Sequence, residues 1–221
     1  MKKFILSALV ALFGFAAASA QGTIFNNPAN RAYFGVRVGA DITCPGNVKS
    51  GPLSIDMFGN GAGIEFGGIY NIPLVANLYI EPGVKLFYDT YPVDDLVSGD
   101  GDWTTEVDMS IRKFGMRIPV MFGYHFDFTP DVKVSLFTGP EFEVAFSGKC
   151  HASVDGESAS ESIYGDDGMN RVNLLWGVGA GIEFSRFYLG FNGGIGMLNM
   201  SGDSQVKFHE NRVTISLGYN F

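Results

Sequence analysis

Three absences narrow what this 221-residue chain can be. Basic residues are scarce, with 15 Lys and Arg against 23 Asp and Glu, and this shortage argues against nucleic-acid binding, which requires basic patches. After residue 20 no apolar run approaches the roughly 18 residues that a membrane-spanning helix requires. Glycine and aromatic residues interrupt every candidate helical window and lower its helix propensity. The sequence therefore predicts neither a nucleic-acid-binding domain nor a helical membrane protein.

The first 20 residues have the pattern of a secretory signal peptide. Lys2 and Lys3 precede an apolar run over residues 4–17, and Ala18-Ser19-Ala20 is a small-x-small cleavage site. We predict cleavage after residue 20 and a single domain over residues 21–221. Removing the two lysines leaves 13 basic residues against 23 acidic ones, a formal charge of −10.

The chain does contain a period-two alternation of apolar and polar residues, which is clearest at its end. This alternation places one set of side chains on each face of a β-strand. An apolar strand with aromatic residues at its end is typical of the closing strand of a transmembrane barrel. The terminal residue also resembles the signal by which outer-membrane barrels are recognised for assembly. The predicted assembly signal consists of Val213, Ile215, Leu217, Tyr219 and Phe221.

Eight segments alternate in this way, each near the ~9–11 residues that a tilted strand needs to cross a membrane. They cover residues 32–41, 61–71, 78–88, 113–126, 134–146, 174–184, 187–198 and 211–221. Short and long connections alternate between them, as in outer-membrane barrels with short periplasmic turns and long extracellular loops. The sequence thus predicts an all-β protein, an eight-stranded antiparallel up-and-down transmembrane β-barrel.

Glycine decides which face of the strands points inward. A water-soluble barrel, which would bury the apolar row, is the alternative. Glycines such as Gly35, Gly39 and Gly115 share the polar row. Glycine weakens a strand exposed to water, whereas small residues are needed inside a narrow barrel. This pattern favours apolar side chains toward lipid and polar side chains toward the lumen.

Charged residues of the polar row are expected to fill that lumen. Because buried charges must be paired, five carboxylates and five cations suit a closed ion-pair network. An eight-stranded lumen is largely filled by side chains, and open channels need about sixteen strands. The predicted lumen charge network consists of Arg37, Glu65, Glu81, Lys85, Lys113, Arg117, Glu141, Glu143, Glu183 and Arg212.

Two cysteines, Cys44 and Cys150, fall in the first and third predicted long loops. An even number of cysteines in an exported protein favours a disulfide, so we predict that they pair, with two free thiols as the alternative.

The predicted loops 89–108 and 148–171 are rich in acidic residues. Divalent cations could bind there, but no EF-hand spacing is present, and a solvated acidic loop with no metal site is favoured.

Catalytic residues do not emerge from the spacing. The histidines are His125, His151 and His209, and Ser201 and Ser204 lie near the last of them. No acid, base and nucleophile are brought together by spacing. We predict a non-enzymatic protein without a cofactor, with a lipid-modifying acyl hydrolase or transferase and a narrow channel as alternatives.

Short motifs along the chain resemble the PorT-like outer-membrane β-barrel family of Gram-negative bacteria. They cover residues 33–39 (YFGVRVG), 79–83 (YIEPG), 117–120 (RIPV), 139–140 (GP) and 217–221 (LGYNF). The resemblance implies an eight-stranded barrel but no single biochemical activity. Some members resemble accessory parts of a protein-secretion machine.

These observations predict an integral outer-membrane protein with a structural or interaction role. Its expected partners are outer-membrane lipid and lipopolysaccharide, the barrel-assembly machinery through the C-terminal strand, and an envelope protein that meets the long loops. Nucleic acid is not an expected partner.

Overall fold

The structure is a computed structural model that describes residues 32–93, 108–154, 157–165 and 168–221. The predicted signal peptide, residues 1–20, lies outside these ranges. Within them, no helix has the length and apolar character needed to cross a membrane. Every regular element in the described ranges is a β-strand.

The described residues form twelve strands in chain order. They are β1 (Tyr33–Pro45), β2 (Val48–Ser50), β3 (Leu53–Ile55), β4 (Gly61–Pro73), β5 (Leu78–Val93), β6 (Asp108–Thr129), β7 (Val132–Val154), β8 (Glu157–Ser162), β9 (Val172–Phe184), β10 (Phe187–Gly196), β11 (Val206–Lys207) and β12 (Glu210–Asn220).

Eight of these strands close into a barrel. Their order is β6-β5-β4-β1-β12-β10-β9-β7, and pairing of β6 with β7 completes the ring. All of these pairs are antiparallel. The predicted eight-stranded antiparallel barrel is confirmed. Closure leaves the barrel no free edge, so every strand has a hydrogen-bonding neighbour on both sides, as a lipid environment demands.

The apolar row faces outward along each barrel strand. Leu217 is 58% exposed, whereas its chain neighbours Ser216 and Gly218 face the interior side of β12. At the end where the long loops lie, the apolar belt finishes with the exposed aromatic residues Tyr88, Phe114 and Phe146. Aromatic residues of this kind form the girdles at the two membrane interfaces. Long loops are extracellular in such barrels, so this end faces outward from the cell.

Several strands are longer than the alternation predicts. β6 has 22 residues and β7 has 23, and both extend past the aromatic residues at the loop end, where β8 pairs with β7. Strands β2, β3 and β11 form a separate small sheet in the same region. Beyond the membrane no face of a strand meets lipid, so an apolar row no longer marks the strand. This is why the sequence did not predict these parts.

Glycines on the inner face allow neighbouring strands and side chains to approach closely. A Cβ added at Gly139 would overlap the carbonyl oxygen of Val120 on the adjacent strand. Gly193 faces outward, and a Cβ there would meet only one atom, the Val178 carbonyl oxygen at 3.9 Å. The inner and outer glycines of the same barrel therefore differ in their tolerance of a side chain.

We expect Gly139→Ala to destabilise the barrel by about 1–3 kcal/mol, the usual cost of overpacking. The matched control Gly193→Ala should change stability by no more than about 0.5 kcal/mol, as surface substitutions do. Urea unfolding of the refolded barrel in detergent measures both. Equal effects of the two substitutions would contradict the assigned inner face.

Candidate functional site

The centre of the lumen is a single guanidinium surrounded by carboxylates. Nη1 of Arg117 lies 2.5 Å from Asp41 and 3.1 Å from Glu65, Nη2 lies 2.5 Å from Asp89, and Nε lies 2.9 Å from Glu143. These four acids belong to β1, β4, β5 and β7. Arg117 is completely buried. Because guanidinium offers five donors in a fixed plane, one side chain on β6 links four other strands across the lumen.

Arg212 extends this group from β12. Its guanidinium contacts Glu141, lies 3.1 Å from Glu143 and lies 3.9 Å from Asp41. Its Nε also donates a hydrogen bond to Thr214, which in turn donates to Asp41. The two arginines therefore share Asp41 and Glu143.

Two lysines complete the group. Lys113 contacts Glu210 and lies 3.5 Å from Glu143. Lys85 lies 2.6 Å from Glu65. All four cations of the group are joined through shared carboxylates, so the charged side chains form one connected network and not a set of separate pairs.

A smaller polar group lies nearer the short-turn end of the barrel. Arg37 donates a hydrogen bond of 2.8 Å to Asn220, and Asn220 donates one of 3.2 Å to Glu183. Glu81 accepts a hydrogen bond of 3.2 Å from Asn71. A cavity of about 30 Å³ lies between the two groups, a volume that suits water molecules and not a solute.

The structure places all ten predicted network residues on the inner face and adds three acids that the sequence interpretation missed. Asp89 was predicted to lie in an acidic loop; this was wrong, because β5 continues past residue 88 and buries Asp89 completely. Asp41 is the last residue of the first predicted strand, and Glu210 lies one residue before the last predicted strand; neither was counted. Extending the period-two pattern by one position would have found Asp89. The predicted balance of five against five thus becomes eight carboxylates against five cations among the described lumen residues.

A family model for the outer membrane protein beta-barrel domain matches residues 19–219. The chain belongs to this family. No curated protein matches the chain. As a member of the outer membrane protein beta-barrel family with a closed eight-stranded barrel, the protein is located in the outer membrane.

Solved structures share the fold at low sequence identity. OprG from Pseudomonas aeruginosa is 12% identical with a TM-score of 0.50, and the match covers 86% of this chain and 96% of that one. The attachment invasion locus protein Ail of Yersinia pestis is 14% identical with a TM-score of 0.44, covering 87% and 100%. Neisserial surface protein A is also 14% identical with a TM-score of 0.44 and the same coverage. These similarities concern the fold alone.

The predicted disulfide between Cys44 and Cys150 is absent from the structure. Cys44 and Cys150 are both free, because β1 and β7 lie on opposite sides of the barrel, with three strands between them in either direction. A bridge requires Cα atoms within about 7 Å. Burial, and secondarily the carboxylate of Glu161, raise the pKa of the Cys150 thiol, which disfavours the reactive thiolate.

The three histidines lie far apart in the barrel topology. His125 is buried at the short-turn end and stacks on Tyr79 with 4.1 Å between ring centroids. His151 lies in the extended part of β7, and His209 lies between β11 and β12. Among the described residues, no histidine side chain is hydrogen-bonded to a serine or to an acid. The described part of the chain contains no acid, base and nucleophile in contact with one another.

Most of the predicted acidic loop residues, including those of 94–107, lie outside the described residues. In the ranges that are described, no three His, Cys, Asp or Glu side chains are grouped so that they could hold a metal ion. Divalent-cation binding by these loops stays a prediction.

The loop end contains an apolar cavity of about 360 Å³. At the loop end of the lumen, Phe208 packs against Phe58 with 4.9 Å between ring centroids, and Phe58 packs against Tyr91 at 5.8 Å. These three rings form an aromatic cap. Asn199 holds this cap by accepting hydrogen bonds from the backbone of Ser201 and Phe208. Ordered residues thus cover the charged network on the extracellular side.

Proposed function

We propose that this protein is a non-conducting barrel that anchors an interaction surface on the outside of the outer membrane. Its strands hold the chain in lipid, and its loop end meets a partner, a ligand or the surrounding surface polysaccharide. The observation that carries this proposal is the Arg117 centre. One completely buried guanidinium is joined to carboxylates of four other strands across the lumen, which favours a lumen closed to solutes.

The contacts on both sides of Arg117 support a filled lumen. Toward the outside, Lys113 and Glu210 lie between the arginines and the aromatic cap. Toward the periplasm, the guanidinium of Arg37 lies 4.0 Å above the ring of Tyr188. Buried ion pairs leave their charges uncompensated when they separate, so opening this lumen carries a large energetic cost.

The extended strands support an interaction role. β6, β7 and β8 form a sheet beyond the membrane belt, and β8 is its edge strand. The side chains of residues 158–162 are exposed. Strands that only anchor a barrel can end at the membrane interface, so an ordered extracellular sheet favours contact with another molecule.

Export of the chain, its assembly into the membrane and its non-catalytic role are parts of the same proposal. A signal peptide over residues 1–20 exports the chain, and the C-terminal strand ending at Phe221 is recognised by the barrel-assembly machinery. The PorT-like motifs favour an accessory role in secretion over a catalytic one. The separated histidines give no support to a lipid-modifying enzyme.

Planar-bilayer recording tests the proposal directly. We expect the refolded native protein to show no steady current under conditions in which a sixteen-stranded porin conducts, because the wide lumen of the porin is absent here. Steady single-channel currents from the native protein, abolished when it is unfolded, would defeat the filled-lumen proposal in favour of a narrow channel.

Site-specific photo-crosslinking in intact outer membranes tests the interaction role. A crosslinker at Ser160 of β8 should capture a defined envelope component, whereas the same group at Arg186 in a short turn should not. Equal capture from both ends, or none from the loop end, would argue for a purely structural role.

A further inference from the structure

The outer face of the extended strands is cationic. Arg112 of β6 and Lys149 of β7 are register partners, and both are exposed. His151 lies two residues beyond Lys149 on the same face, between its register partners Ser110 and Ser160. These five residues are called the cationic face below. They stand out in a chain with more acidic than basic residues.

Among the described residues of β5 to β8, the one acid at a position on the cationic face is Asp108, four positions from Arg112 along β6 and about 13 Å away. Like charges directly opposite each other in an antiparallel pair destabilise it, yet neither Arg112 nor Lys149 belongs to any described ion pair. Glu161 of β8 is the register partner of Cys150, so it lies on the opposite face of the sheet. This arrangement favours an external anion over an internal partner.

A row of aromatic side chains sets the height of the cationic face relative to the membrane. Tyr88 is the register partner of Phe114, and the Phe114 ring lies 5.9 Å from that of Phe146. Phe114 follows Arg112 by two residues along β6 and lies on the same outward face, closer to the middle of the membrane. Aromatic girdles mark the interface, so Arg112 and Lys149 lie at the level of the outer-leaflet head groups.

We propose that the cationic face binds the phosphate groups of lipid A, the phosphorylated glycolipid of the outer leaflet, while its acyl chains lie against the aromatic row. A guanidinium binds phosphate in a bidentate manner, and an ammonium binds it as a point charge. The serine hydroxyls and His151 supply further hydrogen-bonding groups for phosphate and sugar oxygens. This inference deepens the proposed function, because it rests on the loop end facing outward.

Titration of bisphosphorylated lipid A into the detergent-solubilised full barrel, followed by native mass spectrometry, tests the proposal. The double variant Arg112→Gln/Lys149→Gln should bind about thirtyfold more weakly than the native protein, from about 1 kcal/mol for each basic residue near an anionic lipid surface. Lipid A without phosphates should bind the native protein as weakly as the bisphosphorylated form binds the double variant.

The matched control is Lys49→Gln/Lys207→Gln, which removes the same charge at the same end of the barrel. These two lysines are also exposed register partners, but they lie on the small sheet of β2, β3 and β11 and not above the aromatic row. The control should retain native affinity. Similar losses in the two double variants, or no loss in either, would overturn the assignment.

Two further measurements keep the outcome interpretable. Heat-dependent gel mobility shows whether each variant is a folded barrel. If phosphatidylglycerol binds as tightly as lipid A and depends equally on Arg112 and Lys149, the face is a general anion surface and the lipid A proposal fails. Such a failure leaves the filled lumen untouched, because bilayer current tests that proposal separately.

Discussion

Replacing Arg117 with methionine is expected to destabilise the barrel by at least about 3–5 kcal/mol, the cost of breaking a buried ion pair by removing one partner. Four carboxylates lose their shared donor at once, and the side chain of Asp89 keeps no other hydrogen bond among the described residues. Urea unfolding of the refolded protein measures the loss, and failure to refold would be its extreme form.

Arg112→Met is the matched control for this prediction. The two arginines lie on the same strand, but Arg112 is exposed on the outer face. In detergent without lipid A its replacement should change stability by no more than about 0.5 kcal/mol. A small and equal effect at both positions would mean that the lumen carboxylates do not depend on Arg117.

Introducing a charge on the lipid-facing row is expected to have the second-largest effect. Ile215 is 52% exposed near the middle of β12, between polar Asn211 and the aromatic residues Tyr219 and Phe221. Ile215→Arg should cost about 2–4 kcal/mol in a phospholipid bilayer, because arginine is costly at the membrane midplane. Reversible unfolding from liposomes measures this cost.

The same charge placed at the edge of the belt provides the control. Val172 is the first residue of β9, at the loop end, and it is also exposed. Val172→Arg should cost only about 0–1 kcal/mol, since the penalty falls near the interface. If both substitutions were equally tolerated, the apolar row would not face the hydrocarbon, and a water-soluble barrel would explain the alternation better.

The membrane-crossing parts of the strands were predictable because lipid imposes a pattern on them. A residue on β12 such as Leu217 must be apolar and its neighbour Gly218 must be small, so the alternation is visible in the chain itself. The extracellular parts of the strands do not face lipid, so they need no alternation of apolar and small residues. β8, which reads ESASES, has no apolar face, and pairing with β7 alone holds it in place.

The charged residues of the lumen were partly predictable. Period-two spacing identified Arg117 and Glu143 as facing inward, but the same pattern stopped one residue short of Asp89. The predicted pairing of Cys44 with Cys150 failed for a related reason. Loop membership indicates which end of a barrel a residue occupies but not its position around the ring, and these two strands lie on opposite sides.

By itself the sequence determined that the protein is a barrel of eight strands with an apolar exterior, because each strand shows the alternation locally. Only the tertiary structure decided which charges meet. Arg117 and Asp41 are 76 residues apart, and their contact depends on the register of every strand pair between β1 and β6. A shift of one residue in any pair would move those side chains to the other face, and no local pattern records that register.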